Sequence, residues 1–344
     1  MKVIDLFCGV GGLSLGFEKV GFDIVAGVDF WEDAINTFNH NHKNNNGVVE
    51  DIKKFNTKHL PQILAKNKIT GVIGGPPCQG FSSARLSDSS KKVGKINEER
   101  NHLYIDFFNT VKKASPNFFL IENVRGMVTL DKGAFVSDIY ERFGNLGYTV
   151  NHAILDSSDY GVPQARKRVF FIGIKGKKFI FPNKILKKVS AFEALSDLPK
   201  VEGSSEYLNK PKNKYQSEMR RNVSKVKNHE FTNHSDQTKD IISKVPDGGN
   251  IRSLPKEYWN IRKFNKAFQR MDSSQPSLTI DTGHRNYFHY EENRIPTVRE
   301  SARIQSFSDD FEFLGSKSSQ YKQVGNAVPP KLAFILAAEI KKFL

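Results

Sequence analysis

Cysteine is almost missing: the 344 residues hold two, Cys8 and Cys78, 70 positions apart. With no CxxC pair and no histidines at ligand spacing, a disulfide framework is excluded, and neither a zinc site nor any other metal is expected. Long apolar runs are missing too, so no membrane-spanning helix and no membrane partner is expected. The first residues, MKVIDLFCG, reach Asp5 after three apolar side chains, too few for a secretory segment, and the expected compartment is a reducing cytoplasm. Acidic residues are the scarcer charge, 37 Asp and Glu against 52 Lys and Arg, leaving +15. Such an excess suits a polyanion, most economically nucleic acid, although a soluble protein also carries charge for its own sake. Apolar residues are not scarce. At 38% hydrophobic and 11% aromatic, the chain can build the core of about two domains.

Through the first half, short apolar runs alternate with amphipathic segments. Strands are expected at 3–7, 23–28, 71–73, 118–121, 148–155 and 169–174, and helices at 13–20, 32–38, 103–113 and 135–146. That alternation predicts an α/β fold with a doubly wound, mostly parallel sheet, its last two strands forming a hairpin at the edge. After about Lys184 the sequence becomes polar, basic and turn-rich. Between Asn209 and Asn228, Lys210, Lys212, Lys214, Arg220, Arg221, Lys225 and Lys227 stand against Glu218 alone. This run is either a surface for phosphates or a solvated loop. Helical patterns return at 297–305 and 331–343. In the latter Leu332, Ile335, Leu336, Ile340 and Phe343 fall at spacings of three and four, so a core is needed to bury them. The apolar face of the first strand-turn-helix is the expected dock.

Four places have the residues for chemistry. The first strand runs into Asp5-Leu6-Phe7-Cys8-Gly9-Val10-Gly11-Gly12, a glycine turn opening a helix, where backbone N–H groups and close approach favour a ligand. Twenty residues past Gly9, Asp29 ends the second strand, placed to accept both ribose hydroxyls of an adenosine group, with Phe30 beside it for the ring. Gly74-Gly75-Pro76-Pro77-Cys78-Gln79-Gly80-Phe81-Ser82 is a rigid turn around one thiol, a setting for a nucleophile near the basic stretch 85–100. Cys8, by contrast, suits inert packing or close contact with a cofactor. Glu122, ending the apolar run 118–121, puts a carboxyl at the rim where open α/β sheets gather their sites, and burial there favours its carrying a proton near neutrality. A Glu capping the next helix is the competing reading. Gln164-Ala165-Arg166-Lys167-Arg168 brings alternating guanidinium groups, for carbonyl or phosphate oxygens or merely for a basic strand edge.

In this order, DLFCGVGG, GGPPCQGFS, ENV, QARKR, TVRESARIQSF and QVGNAVPP, spanning Asp5 to Pro330, resemble the DNA (cytosine-5) methyltransferase family of bacterial restriction-modification systems. The resemblance implies an S-adenosylmethionine-dependent, Rossmann-like catalytic domain at 1–183, a smaller target-recognition domain at 184–314, and a segment 315–344 returning to the catalytic domain. It implies methyl transfer to C5 of a cytosine flipped out of duplex DNA, with S-adenosylhomocysteine as product. Cys78 would add to C6, Glu122 would serve the ring N3 and the exocyclic amine, and Arg168, supported by Arg166, would hold the carbonyl. By position the cofactor would meet Phe7, Gly9, Gly11, Asp29, Phe30, Asp51, Ile52, Pro77, Leu103, Asn326 and Val328. DNA would meet Ser82, Arg85, Lys210, Lys212, Lys214, Arg220 and Arg221. A cognate endonuclease acting on the same site is an open partner.

The chain departs from the family pattern at Cys8, a slot often Ser or Ala; at Asp29, where Glu is commoner; and at Ser308, usually Pro. Two other readings are weighed. A tRNA cytosine-5 methyltransferase on this fold carries a Cys-Phe-Thr signature, which two cysteines in other contexts do not supply. A catalytically inactive DNA-binding regulator would not need Cys78, Glu122 and the paired arginines.

Overall fold

The computed structural model describes residues 1–77, 98–185, 187–221, 223–261, 267–282 and 287–344. They form two compact units. The first is Met1–Asp156, Lys167–Asn183 and Ala333–Leu344; the second is Ser157–Arg166 and Lys184–Leu332.

The first unit is an α/β layer structure. Strands β1 (Lys2–Leu6), β2 (Asp23–Asp29), β3 (Gly47–Val49), β4 (Ile69–Gly74), β5 (Phe118–Val124), β6 (Tyr148–Asp156) and β7 (Lys167–Lys175) pair in the order β3-β2-β1-β4-β5-β7-β6. The first five are mutually parallel, whereas β7 runs antiparallel to both β5 and β6. The expected hairpin is therefore present, with β6 at the edge. Helices α1 (Gly12–Lys19), α2 (Glu32–Asn41), α3 (Ile52–Lys54), α4 (Leu60–Lys66), α5 (Glu98–Ala114) and α6 (Ala134–Gly144) cover the sheet. Continuous apolar runs read as strands buried on both faces, and Val3, Ile4, Leu6, Val72, Ile73 and Phe118 to Ile121 are all fully buried. Strand order reverses between β1 and β4, which opens a crevice at their C-terminal ends.

The second unit holds α7 (Ala191–Leu195), α8 (Lys214–Arg220), α9 (Asp236–Lys244), α10 (Val298–Ile304), α11 (Lys317–Asn326) and a two-stranded ladder, β8 (Gln269–Arg270) with β9 (Tyr287–Phe288). Its interior is more charged than the sequence suggests. The Arg303 guanidinium, with no exposed surface, lies between Asp197 at 2.9 Å and Asp309 at 2.6 Å. Arg294 grips Glu300 through two 2.8 Å bonds, which hold that carboxyl well below the ordinary range despite its burial. Arg299 donates to the carbonyls of Lys227, Ser308 and Phe311. TVRESARIQSF thus forms a helix whose arginines are internal, each paired as buried charge requires.

A last helix, α12 (Pro330–Lys341), carries the chain back into the first unit. There Ala333, Leu336, Ala337 and Ile340 are buried. A Cβ on Gly16 of α1 would overlap Ala333 and the backbone of Phe334, and Lys341 Nζ donates to the Val20 carbonyl at 2.8 Å. Among the described residues no helix is long and apolar enough to cross a membrane.

Candidate active site

The turn after β1 is left-handed at Phe7, Gly9 and Gly11, with φ of 57°, 53° and 82°. Glycine is required at two of these for different reasons. Gly9 has nothing within 4 Å of where a Cβ would stand, so the turn opens onto space there, whereas a Cβ on Gly11 would overlap the His42 ring. Cys8 N donates to the Val28 carbonyl at 3.1 Å and ties the turn to β2. Burial pushes the Cys8 thiol well above its ordinary value, which disfavours the thiolate a nucleophile needs.

Asp29 works on the turn as well as beside it. Its Oδ2 accepts from Gly9 N at 2.9 Å and its Oδ1 from Trp31 N at 3.0 Å, while burial raises its pKa. Phe30 N also bonds this carboxylate, so of its roughly four acceptor sites about one is left for a ligand. Phe30, next along, is 75% exposed, an uncovered ring at the rim. The open side of Gly9, the acceptor oxygens of Asp29 and the bare Phe30 ring together fit an adenosine group. Asp51 caps α3 by accepting from Lys53 N at 2.8 Å, Ile52 is buried in the core, and Phe7 and Leu103 pack partly against it. Pro77 is half-buried.

Beside this turn, β4 and β5 deliver the second set of residues, since Gly74 pairs with Ile121 and the next residue is Glu122. Glu122 Oε1 lies 3.1 Å from Arg168 Nε, with side-chain exposures of 13% and 19%. Register explains the meeting: Val124 faces Arg168 across the antiparallel β5–β7 ladder. Glu122 is therefore one half of an ion pair, not an isolated buried acid, and it is not a helix cap. A Cβ on Gly75 would stand 3.0 Å from Glu122 Oε2, and Asn123 Nδ2 donates to the Pro76 carbonyl at 2.9 Å. The GGPP turn is thus held against the Glu122 strand end. Cys78, Ser82 and Arg85 lie outside the described residues.

The other expected site residues have partners of their own. Arg166 is buried in the second unit and donates to the carbonyls of Ile280 at 3.1 Å and Gly325 at 2.9 Å. Gln164 does similar work, bonding Gln305 at 2.8 Å and receiving Ile280 N at 3.0 Å. Arg220 stacks 3.6 Å over the Tyr207 ring and pairs with Asp197, and Arg221 pairs with Asp310 at 2.7 Å. Lys210, Lys212 and Lys214 are exposed. Asn326 is exposed and Val328 buried, both in the second unit. Sequence reasoning missed Asn123 and His42, whose partners come from neighbours distant in the chain.

The family model for C-5 cytosine-specific DNA methylase matches residues 1–342. The type II methyltransferase M1.HphI of Haemophilus parahaemolyticus is 38% identical, over 99% of this chain and 87% of that protein. M.DdeI of Desulfomicrobium norvegicum, also a type II methyltransferase, is 36% identical over 99% and 88%. Among solved structures, a prophage-encoded protein of E. coli described as a DNA modification methyltransferase superposes with a TM-score of 0.83 at 28% identity, covering 99% of both chains. With a whole-chain family match behind its sheet order and its Glu122–Arg168 pair, this chain belongs to the C-5 cytosine-specific DNA methylase family.

Proposed function

We propose that this DNA cytosine-5 methyltransferase uses S-adenosylmethionine to modify one duplex sequence, as the protective partner of a type II restriction endonuclease. The observation that carries the reading is the Glu122–Arg168 pair at 3.1 Å beside the turn leading to Cys78. Bound S-adenosylmethionine supplies an electrophilic methyl group. Gly9, Asp29 and Phe30 would hold its adenosine end. Phe7, Gly11, Asp51, Ile52, Pro77, Leu103, Asn326 and Val328 are the further contacts inferred from the motif positions.

The chain's own work is to make cytosine C5 a nucleophile. The Cys78 thiolate adds to C6 and the displaced electron pair moves towards C5, while Glu122, entering the step in its protonated form, gives N3 a proton that it takes back when the thiolate leaves. Arg168 donates to the cytosine carbonyl and keeps Glu122 aimed; its planar fork has five donors, of which Nε serves Glu122 and Nη1 the Lys167 carbonyl. Once C5 carries the methyl group, the C5 proton leaves to a base, the pair re-forms the ring double bond, and the bond from C6 to Cys78 breaks. Arg166 contributes as a clamp on the segments around Ile280 and Gly325.

Division of labour follows the domains inferred from the sequence, 1–183 for cofactor and chemistry, 184–314 for reading the duplex and 315–344 returning to the first, although 157–166 and 315–332 pack with the second unit. Exposed Lys210, Lys212 and Lys214 suit phosphate contact. Bisulfite sequencing of DNA from cells expressing the chain tests the reading. Protected cytosines in one recurrent context are expected, and uniform conversion would overturn it.

A further inference from the structure

The end of the sheet opposite the cofactor turn carries a charge that the proposed function leaves unused. Parallel strands start together at one end and open their crevice at the other, so the connections that feed them share a face. The connections 66–68 into β4, 112–117 into β5 and 175–178 leaving β7 hold seven lysines and no acidic residue. Lys2 starts β1, and Lys175 ends β7 opposite Tyr148 of β6. Lys19, Lys66, Lys112 and Lys113 stand in the last turns of α1, α4 and α5.

Hydrogen bonds join these ends into one face of the first unit. Lys2 Nζ donates to Asn67 Oδ1, and Lys175 Nζ to the Ser115 carbonyl at 3.1 Å. Lys341 Nζ, ending α12, reaches the Val20 carbonyl at 2.8 Å, and Lys177 Nζ the Phe343 carbonyl at 2.7 Å. Strands β1, β4, β5 and β7 are consecutive neighbours, so at about 4.8 Å per step Lys2 and Lys175 lie about 14 Å apart. A lysine in the last turn of a helix also offsets the helix dipole, which accounts for Lys19 and Lys66 singly. It does not account for Lys68, Lys177 and Lys178, which lie outside the helices. Lys66, Lys68, Lys112 and Lys178 are exposed, and none has a partner among the described residues. The acids of the flanking segments are engaged elsewhere: Asp23 accepts from Asn44 at 2.9 Å, Glu18 faces His42 at 2.9 Å, and Glu339 pairs with Lys342 at 2.7 Å.

We infer that this lysine face binds the phosphates of a second duplex DNA segment, separate from the one that is methylated. Ammonium groups are point charges that take phosphate without reading bases, and duplex DNA is the polyanion that a member of this family meets. Strands of five to seven residues hold the face about 13–20 Å from the crevice. A duplex with a persistence length of about 500 Å does not fold back over that distance, so the DNA at the crevice cannot also cover the lysines. Holding a second segment by charge alone gives one molecule a route between neighbouring stretches of DNA.

The test uses the full chain. Lysine acylation read by mass spectrometry, with and without an excess of short duplex, should find Lys66, Lys68, Lys112 and Lys178 protected by DNA. Protection of Lys210, Lys212 and Lys214 in the same experiment reads the recognition surface separately. In a gel-shift titration the wild-type chain should form a second, slower complex as duplex is added. The variant Lys66→Gln/Lys68→Gln/Lys112→Gln/Lys178→Gln should lose it and still methylate a short duplex at the wild-type rate. Before that complex is lost, each single substitution should flatten the log-log salt slope of the second binding event by about 0.9 if its lysine neutralises one phosphate. Four lysines that stay reactive in excess duplex, or a slower complex that the fourfold variant forms as well, would overturn the inference. So would protection by phosphatidylserine vesicles and not by duplex, which would assign the face to a membrane.

Discussion

Burial dominates the chemistry of Asp5. Its Oδ2 accepts from Ser14 Oγ at 2.6 Å, its Oδ1 has no hydrogen-bond partner among the described residues, and desolvation pushes its carboxyl up to about 7. The folded state therefore holds a proton that the unfolded chain releases near 3.8. Stability from this group is complete below that value and drains away as pH rises to about 7. Asp5→Asn should accordingly gain on wild type between pH 4 and pH 8 in thermal unfolding; a difference that ignores pH would contradict the assignment. Glu122 answers to a different readout. Glu122→Gln should keep the fold and DNA binding yet lose about 10² to 10⁴ in methylation rate, the usual worth of a positioned acid or base, as measured by labelled-methyl incorporation. At this scale the motifs were informative about which residues matter, less so about what each does. Arg166 and Arg168 read alike in QARKR, but only the fold reveals that one donates to carbonyls in the second unit and the other pairs with Glu122.

Helices α1 and α12 meet through a glycine that ordinary helix propensity disfavours. Alanine in place of a helical glycine normally gains about 1 kcal/mol. At Gly16 the added methyl would overlap Ala333 and the Phe334 backbone, so Gly16→Ala should instead lose about 1–3 kcal/mol, the cost of overpacking. Urea unfolding checks the sign. The helix itself was legible from the spacing of Leu332, Leu336 and Ile340, because amphipathic periodicity survives in sequence. Six strands were legible within three residues at either end, and for β1, β4 and β5 the reason is related, as parallel strands buried on both faces are uninterrupted apolar runs. Strand β3 was not. It has three residues and is held by Asn39, which bonds Gly47 N at 2.7 Å and its carbonyl at 3.2 Å from eight positions away. Nor was the stretch through α3, the π-helical turn Phe55–His59 and α4 foreseen. There the winding changes within fifteen residues, and no single period runs through it.

Charge is the property that belongs to the molecule as a whole, and +15 says only that a polyanion is favoured. The fold sorts the basic run that composition lumps together. Arg220 is held against the buried Asp197 and the Tyr207 ring, while Lys210, Lys212, Lys214, whose Nζ is 3.9 Å from Glu218, and Arg221, paired with Asp310, are exposed. Replacing those three lysines by glutamine should weaken binding to every duplex and flatten its salt dependence, by about 0.9 in the log-log slope for each phosphate no longer neutralised; an unchanged slope would make the run a solvated loop. The buried pairs of the second unit were illegible for a physical reason. Asp197, Arg303 and Asp309 lie up to 112 positions apart, and isolated charged residues read as surface until their partners are found. The central claim is that Cys78 forms a bond to C6 of a DNA cytosine during methyl transfer to C5. Fluorine at C5 blocks loss of the C5 substituent and traps that bond, so duplex DNA carrying 5-fluorocytosine, incubated with S-adenosylmethionine and the wild-type chain, should give a denaturation-resistant adduct. Mass spectrometry should map it to the Cys78 peptide, and Cys78→Ala should form none; an adduct that persists in Cys78→Ala, or methylation by that variant at the wild-type rate, would contradict the account.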